Sequence, residues 1–201
     1  MTSGKKKIIS MLLWIVIAVL IAFFGFLLLV RNELSDYIEG KYPDKTFSIG
    51  FTKVDPMYGK FYCSGTCIDD DTDFGIYKSW NTKKISDNYM ESKSQNGYNE
   101  MIRSIFMFMP LQAEIKDVTG SGKKPFVGSP DYDQINFYLA DEKDHAEDIE
   151  TILNRLQERS IVAERIIMTY EKDGHIYSIR LSSEDYGLGL EEIRNRIEMI
   201  K

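Results

Sequence analysis

The sequence predicts an α+β protein that begins with a transmembrane helix. Three observations carry this prediction: residues 8–30 contain no charged side chain, apolar residues alternate with polar ones after residue 45, and the last 70 or so residues follow the order β-α-β-β-α. We therefore expect a membrane helix, then an antiparallel three-stranded meander with helices, and finally a small β-α-β-β-α unit.

The apolar run is long enough to cross a bilayer. At about 1.5 Å per residue it spans roughly 34 Å, against a hydrocarbon core of roughly 30 Å. Its only non-hydrophobic residues are Ser10 and Gly25, and Lys5, Lys6 and Lys7 stand directly before it. The positive-inside rule then puts residues 1–7 in the cytoplasm and the rest outside the cell, which predicts a single-pass protein of the cell membrane.

A cleaved signal peptide is the competing interpretation of the same segment. The hydrophobic region of a signal peptide runs about 7–15 residues and ends at a cleavage site flanked by small residues. The run over residues 8–30 is longer, and neither residues 22–24 nor residues 23–25 have the required pattern. A lipoprotein is disfavoured because the first cysteine is Cys63. The sequence therefore favours an uncleaved anchor.

Residues 31–43 are expected to continue the helix as a juxtamembrane stalk. Leu34, Tyr37 and Ile38 recur at helical spacing, and Gly40 and Pro43 are typical of a helix end. Packing of its tyrosines against the following domain is favoured over a position at the lipid interface.

Residues 44–118 are predicted to form the meander and its helices. Phe47, Ile49 and Phe51 alternate with small or polar residues, which predicts a half-buried strand. Further strands are expected over residues 60–68 and 74–80, with an acidic turn between them. A helix capped by Ser86-Asp87 and a short helix over residues 111–118 should complete this unit. The apolar stripe of the longer helix consists of Tyr98, Met101, Ile102, Ile105 and Phe108.

Residues 119–133 are rich in Gly, Ser and Pro, and we expect a linker there. In residues 134–201, strands are predicted over 134–140, 163–171 and 176–182, and helices over 144–159 and from Leu190 to Ile200. Asp173-Gly174 lies between the last two strands and is a strong signal for a two-residue hairpin. The two halves show no fixed repeat.

The charge balance restricts the possible ligands. The chain has 25 basic and 31 acidic residues, and three of the basic residues are the lysines before the anchor. The part beyond the anchor therefore has 22 basic and 31 acidic residues, a net charge of about −9. Nucleic acids and anionic lipids would favour a basic surface instead, so no nucleic-acid partner is expected.

Cys63 and Cys67 are the first candidates for chemistry. On a continuous strand they lie about 13 Å apart, while a disulfide needs Cα atoms within about 7 Å. We therefore expect two free, buried thiols; a bridge would require a tight turn over residues 64–66. A zinc site would need two more ligands, and His145 and His175 lie in separate elements.

Other apparent motifs are incomplete. The acidic turn begins like a calcium loop, but Phe74 stands where glycine is needed and Trp80 where glutamate closes the site. Residues 120–124 resemble a phosphate loop that lacks its first glycine and its final Ser or Thr. Both histidines are expected to be exposed. The sequence thus assigns no catalytic, cofactor-binding or metal-binding residue.

Several short segments do resemble a known group of proteins. They are the lysine-flanked anchor, residues 41–45, 49–51 and 57–59, Asp69-Asp70 ahead of Phe74, and residues 120–126. In these the chain resembles the YfjL-like small membrane-anchored proteins of Gram-positive bacteria, whose role is undefined. The resemblance implies a bacterial single-pass protein with an α+β exterior, and it transfers no site residue.

The sequence leaves two hypotheses for function. The first is a non-enzymatic extracytoplasmic domain, held in the lipid bilayer by residues 8–30, that binds a protein, a peptide or an envelope component or senses the state of the envelope. The second is an envelope enzyme, a hydrolase, whose site is assembled from residues distant in sequence.

Overall fold

The computed structural model describes the backbone of residues 3–107, 109–128 and 131–201, and side chains from Ser10 onward. The chain divides into two compact units, Met1–Ser92 and Lys93–Lys201. The predicted α+β class, the apolar N-terminal helix and the antiparallel first sheet are confirmed. Phe108 and Pro130, which the sequence assigned to a helix stripe and a linker, lie outside the described residues.

The first unit is one long helix packed on an antiparallel sheet. Helix α1 extends without interruption from the apolar run through the predicted stalk. Strand β3 lies between β1 and β4, β2 also pairs with β3, and β5 pairs with β4. The elements are α1 Ser3–Lys41, β1 Phe47–Ile49, β2 Lys53–Asp55, β3 Lys60–Cys67, β4 Thr72–Ser79 and β5 Ile85–Asp87.

Helix α1 changes its surroundings close to residue 30. By length and composition it is the one helix among the described residues that is able to cross a membrane. Most side chains from Ser10 to Leu29 are exposed, whereas Val30, Leu34 and Ile38 are buried against the sheet. This stripe recurs every four residues, so it forms one face of the helix. The helix therefore contributes a whole wall of the core of the first unit.

The predicted three-stranded meander is present but has two additional short strands. The first strand ends at Ile49, and Phe51 lies beyond it with an exposed fraction of 78%. The apolar alternation in the sequence continues to Phe51, but this exposed side chain does not belong to the core of the first unit. β2 and β5 have three residues each, too few for a period-two pattern to reveal them.

The second unit is a five-stranded mixed sheet with helices. The strand order is β10-β9-β8-β7-β6; β7 and β8 are parallel and joined through α3, and the other pairs are antiparallel. Helix α2, Tyr89–Phe106, begins just before the last residue of the first unit. The remaining elements are a 3₁₀ helix Pro110–Glu114, β6 Ile115–Ser121, β7 Asp131–Leu139, α3 Ala146–Glu158, β8 Val162–Lys172, β9 His175–Leu181, a 3₁₀ helix Ser183–Asp185, α4 Leu190–Arg196 and β10 Glu198–Met199.

In this unit a strand, a helix and two further strands, β7, α3, β8 and β9, follow one another along the chain. The apolar face of α3 is buried in the core of the unit, as its spacing predicts. Asp173 and Gly174 both have positive φ, 52° and 73°, which is the backbone of a type I′ hairpin between β8 and β9. The last helix is shorter than predicted: it ends at Arg196, and the residues after it form β10 against β9.

The structure differs from the sequence-based interpretation of residues 111–133. Of the predicted short helix over residues 111–118, only the part up to Glu114 is helical, as the 3₁₀ helix Pro110–Glu114, and it leads directly into β6 at Ile115. Residues 119–121 of the predicted linker belong to β6 and residues 131–133 belong to β7, which pairs with it, while the described residues 122–128 between them form a loop. The boundary between the two units lies at Ser92, well before this segment.

Close packing explains why this segment is rich in glycine. A Cβ at Gly120 would lie 2.5 Å from Cε1 of Tyr132, and a Cβ at Gly122 would lie 2.1 Å from the hydroxyl oxygen of Tyr98. These glycines make room for tyrosine rings in the core. Glycine content alone does not distinguish such a requirement from a flexible linker.

The Asp87 carboxylate joins α1 to the sheet of the first unit. Its side chain is 1% exposed and accepts hydrogen bonds from Lys41 Nζ at 2.7 Å, the Tyr37 hydroxyl at 3.0 Å and the Tyr42 hydroxyl at 3.2 Å. The backbone N–H of Tyr89 donates a fourth bond at 3.2 Å. Burial opposes ionisation of Asp87, but these donors outweigh it, so the pKa of the carboxyl lies below its usual value.

We expect Asp87→Asn to destabilise the first unit at neutral pH by roughly 2 kcal/mol, because the charged hydrogen bonds to the carboxylate are lost. The folded-state pKa lies below the unfolded value of about 3.9, so the carboxylate stabilises the fold above that value and this contribution is lost as the pH falls through the folded pKa. Thermal unfolding of the full chain in micelles should therefore show a gap between wild type and variant at pH 7 that closes in strong acid. Asp44→Asn, in an exposed turn of the same unit, is the control and should change little. A gap of equal size at both pH values would contradict this role of the charge.

Cys63 and Cys67 are free and fully buried, as the strand assignment predicts. Both point from β3 into the core of the first unit, and burial raises the pKa of the Cys63 thiol. In the native full chain neither cysteine should react with a maleimide, because both thiols are fully buried and out of reach of the reagent.

Intact-mass measurement checks this expectation. It should show no label on the native protein and two labels after denaturation without reductant. Ile68→Cys, at a position 62% exposed just after β3, provides a thiol that should react in the native state. Denatured protein that takes up no label until it is reduced would reveal a disulfide instead.

Candidate functional site

The sheet of the first unit has one face in the core and one open face. Side chains alternate along β3 and β4, so Cys63 and Ile76 point into the core while their neighbours point outward. The outward positions carry tyrosine and small or polar residues. They are Tyr62, Ser64 and Thr66 on β3, and Asp73, Gly75 and Tyr77 on β4.

The strand register arranges these residues in three rows. Tyr62 lies opposite Tyr77, Ser64 opposite Gly75, and Thr66 opposite Asp73. The backbone N–H of Gly50 donates to the Ser64 carbonyl at 2.9 Å, which extends the middle row toward β1. Successive rows are about 7 Å apart, so a low row of glycine and serine runs between two higher rows. We call this depression the trough; its volume is about 620 Å³.

Gly75 makes room for the Tyr77 side chain beside the floor of the trough. A Cβ at Gly75 would lie 2.4 Å from the Tyr77 hydroxyl oxygen, so only glycine allows this ring to lean over the strand. Asn88, directly after β5, holds Gly75 in place: its Oδ1 accepts from Gly75 N–H at 2.6 Å, and its own N–H donates to the Gly75 carbonyl at 3.2 Å.

The tyrosine row forms one wall of the trough. The two rings stack with centroids 5.3 Å apart and planes 25° apart. Lys53 Nζ lies 5.9 Å from the Tyr62 ring centroid, and Lys60 Nζ lies 4.6 Å from that of Tyr77. Burial raises the pKa of Tyr77, with Tyr62 adding to the effect, so this hydroxyl stays protonated at neutral pH and can donate a hydrogen bond.

Thr66 and Asp73 form the opposite wall. The Thr66 hydroxyl donates to Asp73 Oδ1 at 2.6 Å, which holds an exposed carboxylate in a fixed orientation. The trough therefore offers hydroxyls, an amide, a carboxylate and aromatic edges. Its lining residues include no histidine, cysteine or lysine.

A second polar cluster lies in the second unit around His145. The expectation that both histidines are exposed is wrong for His145, which is fully buried; His175 is exposed. The two ring nitrogens of His145 lie 2.7 Å from Asp148 Oδ2 and 2.6 Å from the Ala140 carbonyl, and its ring packs edge-on against Tyr170. The acidic sequence around it suggested a solvated helix start, but the cluster is folded inward.

Glu114, His145 and Asp148 are close enough together to hold a metal ion, yet a lysine already occupies the position of the cation. Lys143 Nζ lies 3.1 Å from both Glu114 Oε2 and Asp148 Oδ2. Hydrogen bonds that Lys143 donates to Asp148 and Glu114 raise the pKa of its ammonium group, so it remains charged. This arrangement links the turn before β6 to the start of α3, and we assign it a structural role.

The acidic turn is a hairpin turn, as expected, and its carboxylates do not converge. Asp69 Oδ2 accepts from the backbone N–H of Thr46, while Asp70 Oδ2 accepts from the Tyr89 hydroxyl. Asp71 occupies the left-handed region with φ of 56°. The carboxylates of Asp69 and Asp70 are therefore directed toward separate donors.

The glycine-rich residues 120–124 are equally unlike a phosphate loop. Gly120 belongs to β6, and its N–H donates to Asn99 Oδ1 at 2.9 Å. Its carbonyl accepts from Gln95 Nε2. The backbone groups that would cradle a phosphate are thus already bonded to side chains of α2.

Sequence reasoning did not find the trough, although its signal is present. The polar positions of β3 and β4 alternate with the apolar ones that predict these strands, and alternation by itself indicates only that they face solvent. Which outward residues become neighbours depends on the register across strands, and a single sequence does not specify it.

No protein-family model matches the chain, and no curated protein or solved structure shows significant similarity to it.

Proposed function

We propose that the chain is a single-pass membrane-anchored binding protein whose first unit holds a neutral, hydroxyl-rich glycan of the cell envelope in the trough. The N-terminus lies in the cytoplasm, and everything after residue 30 lies outside. The single observation that carries the binding proposal is the trough itself, a row of small residues between stacked tyrosines and a fixed carboxylate.

The way that α1 is built into the first unit supports an uncleaved anchor. The Thr52 hydroxyl donates to the Leu27 carbonyl at 3.0 Å, and the rings of Phe26 and Phe61 pack with centroids 5.5 Å apart. Removal of a signal peptide near residue 30 would take away these contacts together with Val30 of the core. A cleaved leader would not be expected to supply part of the fold of the mature domain.

The chemistry of the trough supports a glycan as its ligand. Sugar hydroxyls both donate and accept hydrogen bonds, which matches the lining by Ser48, Ser64, Asn88 and Ser92. The flat aromatic wall suits the apolar faces of sugar rings. Asp73 disfavours an anionic ligand, and Lys53 and Lys60 belong to the tyrosine wall rather than to the floor.

Protease treatment of intact protoplasts tests the topology. We expect a C-terminal tag to be digested and an N-terminal tag to be protected, because the three lysines retain the N-terminus inside. The purified protein should keep its full-length mass. A protected C-terminal tag would reverse the orientation, and a mature N-terminus near residue 31 would establish a cleaved leader.

Filling the trough tests binding. Ser64→Phe places a ring on the floor at an exposed position, so the fold should persist while affinity for a glycan falls at least tenfold, about 1.4 kcal/mol. Asn81→Phe adds the same ring in an exposed turn of the same unit and should bind like wild type.

The assay is calorimetry on the full chain in phosphatidylcholine nanodiscs, titrated with linear hexasaccharides of glucose and of N-acetylglucosamine and with an uncharged peptide of similar length. Binding of the peptide alone would replace the glycan by a peptide ligand. Binding of the sugars that is unaffected by Ser64→Phe would move the site away from the trough.

A further inference from the structure

Exposed apolar residues gather at one end of the sheet of the first unit. Phe51, Met57 and Tyr58 are 78%, 85% and 73% exposed, and they lie in the loops before and after β2. Trp80 joins them from the end of β4: its backbone N–H donates to the Gly59 carbonyl at 2.9 Å, and its ring centroid lies 5.7 Å from that of Phe61. Clustered apolar exposure of this kind usually marks an interaction surface.

Strand β3 runs alongside α1 in the same direction. Near the start of β3, Phe61 packs against Phe26; near its end, Cys67 is paired with Phe47, whose ring lies 6.1 Å from that of Tyr42. From Phe26 to Tyr42 the chain advances by sixteen residues, about 24 Å at helical rise, and from Phe61 to Cys67 it advances by six residues, about 20 Å at strand rise. The helix and the strand therefore cover similar lengths in the same direction. The start of β3 is therefore level with Phe26, inside the apolar run over residues 8–30.

The apolar end of the sheet thus lies at the depth where the helix should leave the membrane. Phe51 lines a hollow of about 210 Å³ together with Phe24, Leu27 and Leu28 of the helix. The surface is therefore continuous with the part of α1 that is expected to contact lipid.

Charge limits how deep this end can lie. Lys53, Asp55 and Lys60 belong to the same end of the sheet and are too polar for the hydrocarbon core. If the hydrocarbon boundary falls near Phe26, residues 8–25 remain inside and span about 27 Å, which is sufficient for a bilayer. Aromatic and lysine side chains are enriched in the headgroup layer, where both their apolar and polar parts are accommodated.

We propose that this end of the sheet, formed by Phe51, Met57, Tyr58, Lys60 and Trp80, is immersed in the phospholipid headgroup layer. The proposal rests on the membrane anchoring proposed above and deepens it: the first unit lies on the bilayer instead of standing clear of it on a stalk. The lipid surface is then a second partner of the protein, recognised by aromatic and lysine side chains.

The two tryptophans of the chain allow a test with the full-length protein. Trp80→Phe leaves Trp14, within the span, as the reporter, and Trp14→Phe leaves Trp80 at the end of the sheet. Each variant is reconstituted in phosphatidylcholine vesicles whose acyl chains carry bromine near the headgroup. We expect the emission of Trp80 to be quenched by a fraction comparable with that of Trp14.

The outcomes separate the two proposals. If the emission of Trp14 is quenched and that of Trp80 is not, immersion of the sheet would be contradicted while the anchor would stand. Absence of quenching at both positions would overturn the anchor itself.

A matched pair of new reporters removes any dependence on the native Trp80 site. In a chain without native tryptophan, Met57→Trp places an indole in the proposed lipid surface, and Ile68→Trp places one in an exposed position at the opposite end of β3. We expect strong quenching and a blue-shifted emission at position 57 and neither at position 68. Equal quenching at the two positions, or none at position 57, would contradict the proposal.

Discussion

Burial of one stripe of α1 against a small sheet is the interaction on which the first unit depends. The strands of that sheet are short, and β1, β2 and β5 have only three residues each, so the sheet alone buries little apolar surface. Val30, Leu34 and Ile38 provide the opposing wall, and the buried Asp87 carboxylate ties the far end of the helix to β5. A hydrophobic helix that begins as a lipid-compatible segment thus ends as the core of a folded domain.

The inward positions of β3, Cys63, Gly65 and Cys67, are small and lie between larger side chains of the neighbouring strands. A Cβ at Gly65 would lie 2.8 Å from the Phe74 ring and 3.0 Å from Ile49 Cδ1. Because α1 covers one face of the sheet, the other face can carry polar residues, and the strand register places these residues side by side. The trough is a consequence of that division, since its floor and walls come from the outward positions of strands that the helix stabilises.

The sequence predicts the elements that have a strong local signal. β3, the Asp173-Gly174 hairpin and α3 follow from alternation, turn chemistry and helical spacing, and all three are confirmed. The failures occur where tertiary packing decides. Gly120 and Gly122 look like linker residues because a sequence does not show the tyrosine rings they accommodate, and His145 looks solvated because a sequence does not show the packing that buries its ring, which includes Tyr170. The trough likewise depends on pairing between strands, which is not a local property.

The contacts at both ends of the helix–sheet interface have a mechanical consequence. Phe26 and Thr52 hold the helix and the sheet together near residue 27, and Asp87 holds them together at Lys41. Because α1 continues without a break between these points, the described part of the first unit contains no hinge between helix and sheet. A transmembrane helix tilts when the bilayer becomes thinner than its apolar length. If α1 spans the membrane as proposed above, such a tilt would turn the open face of the sheet by the same angle, so the direction in which the trough points would follow the thickness of the membrane.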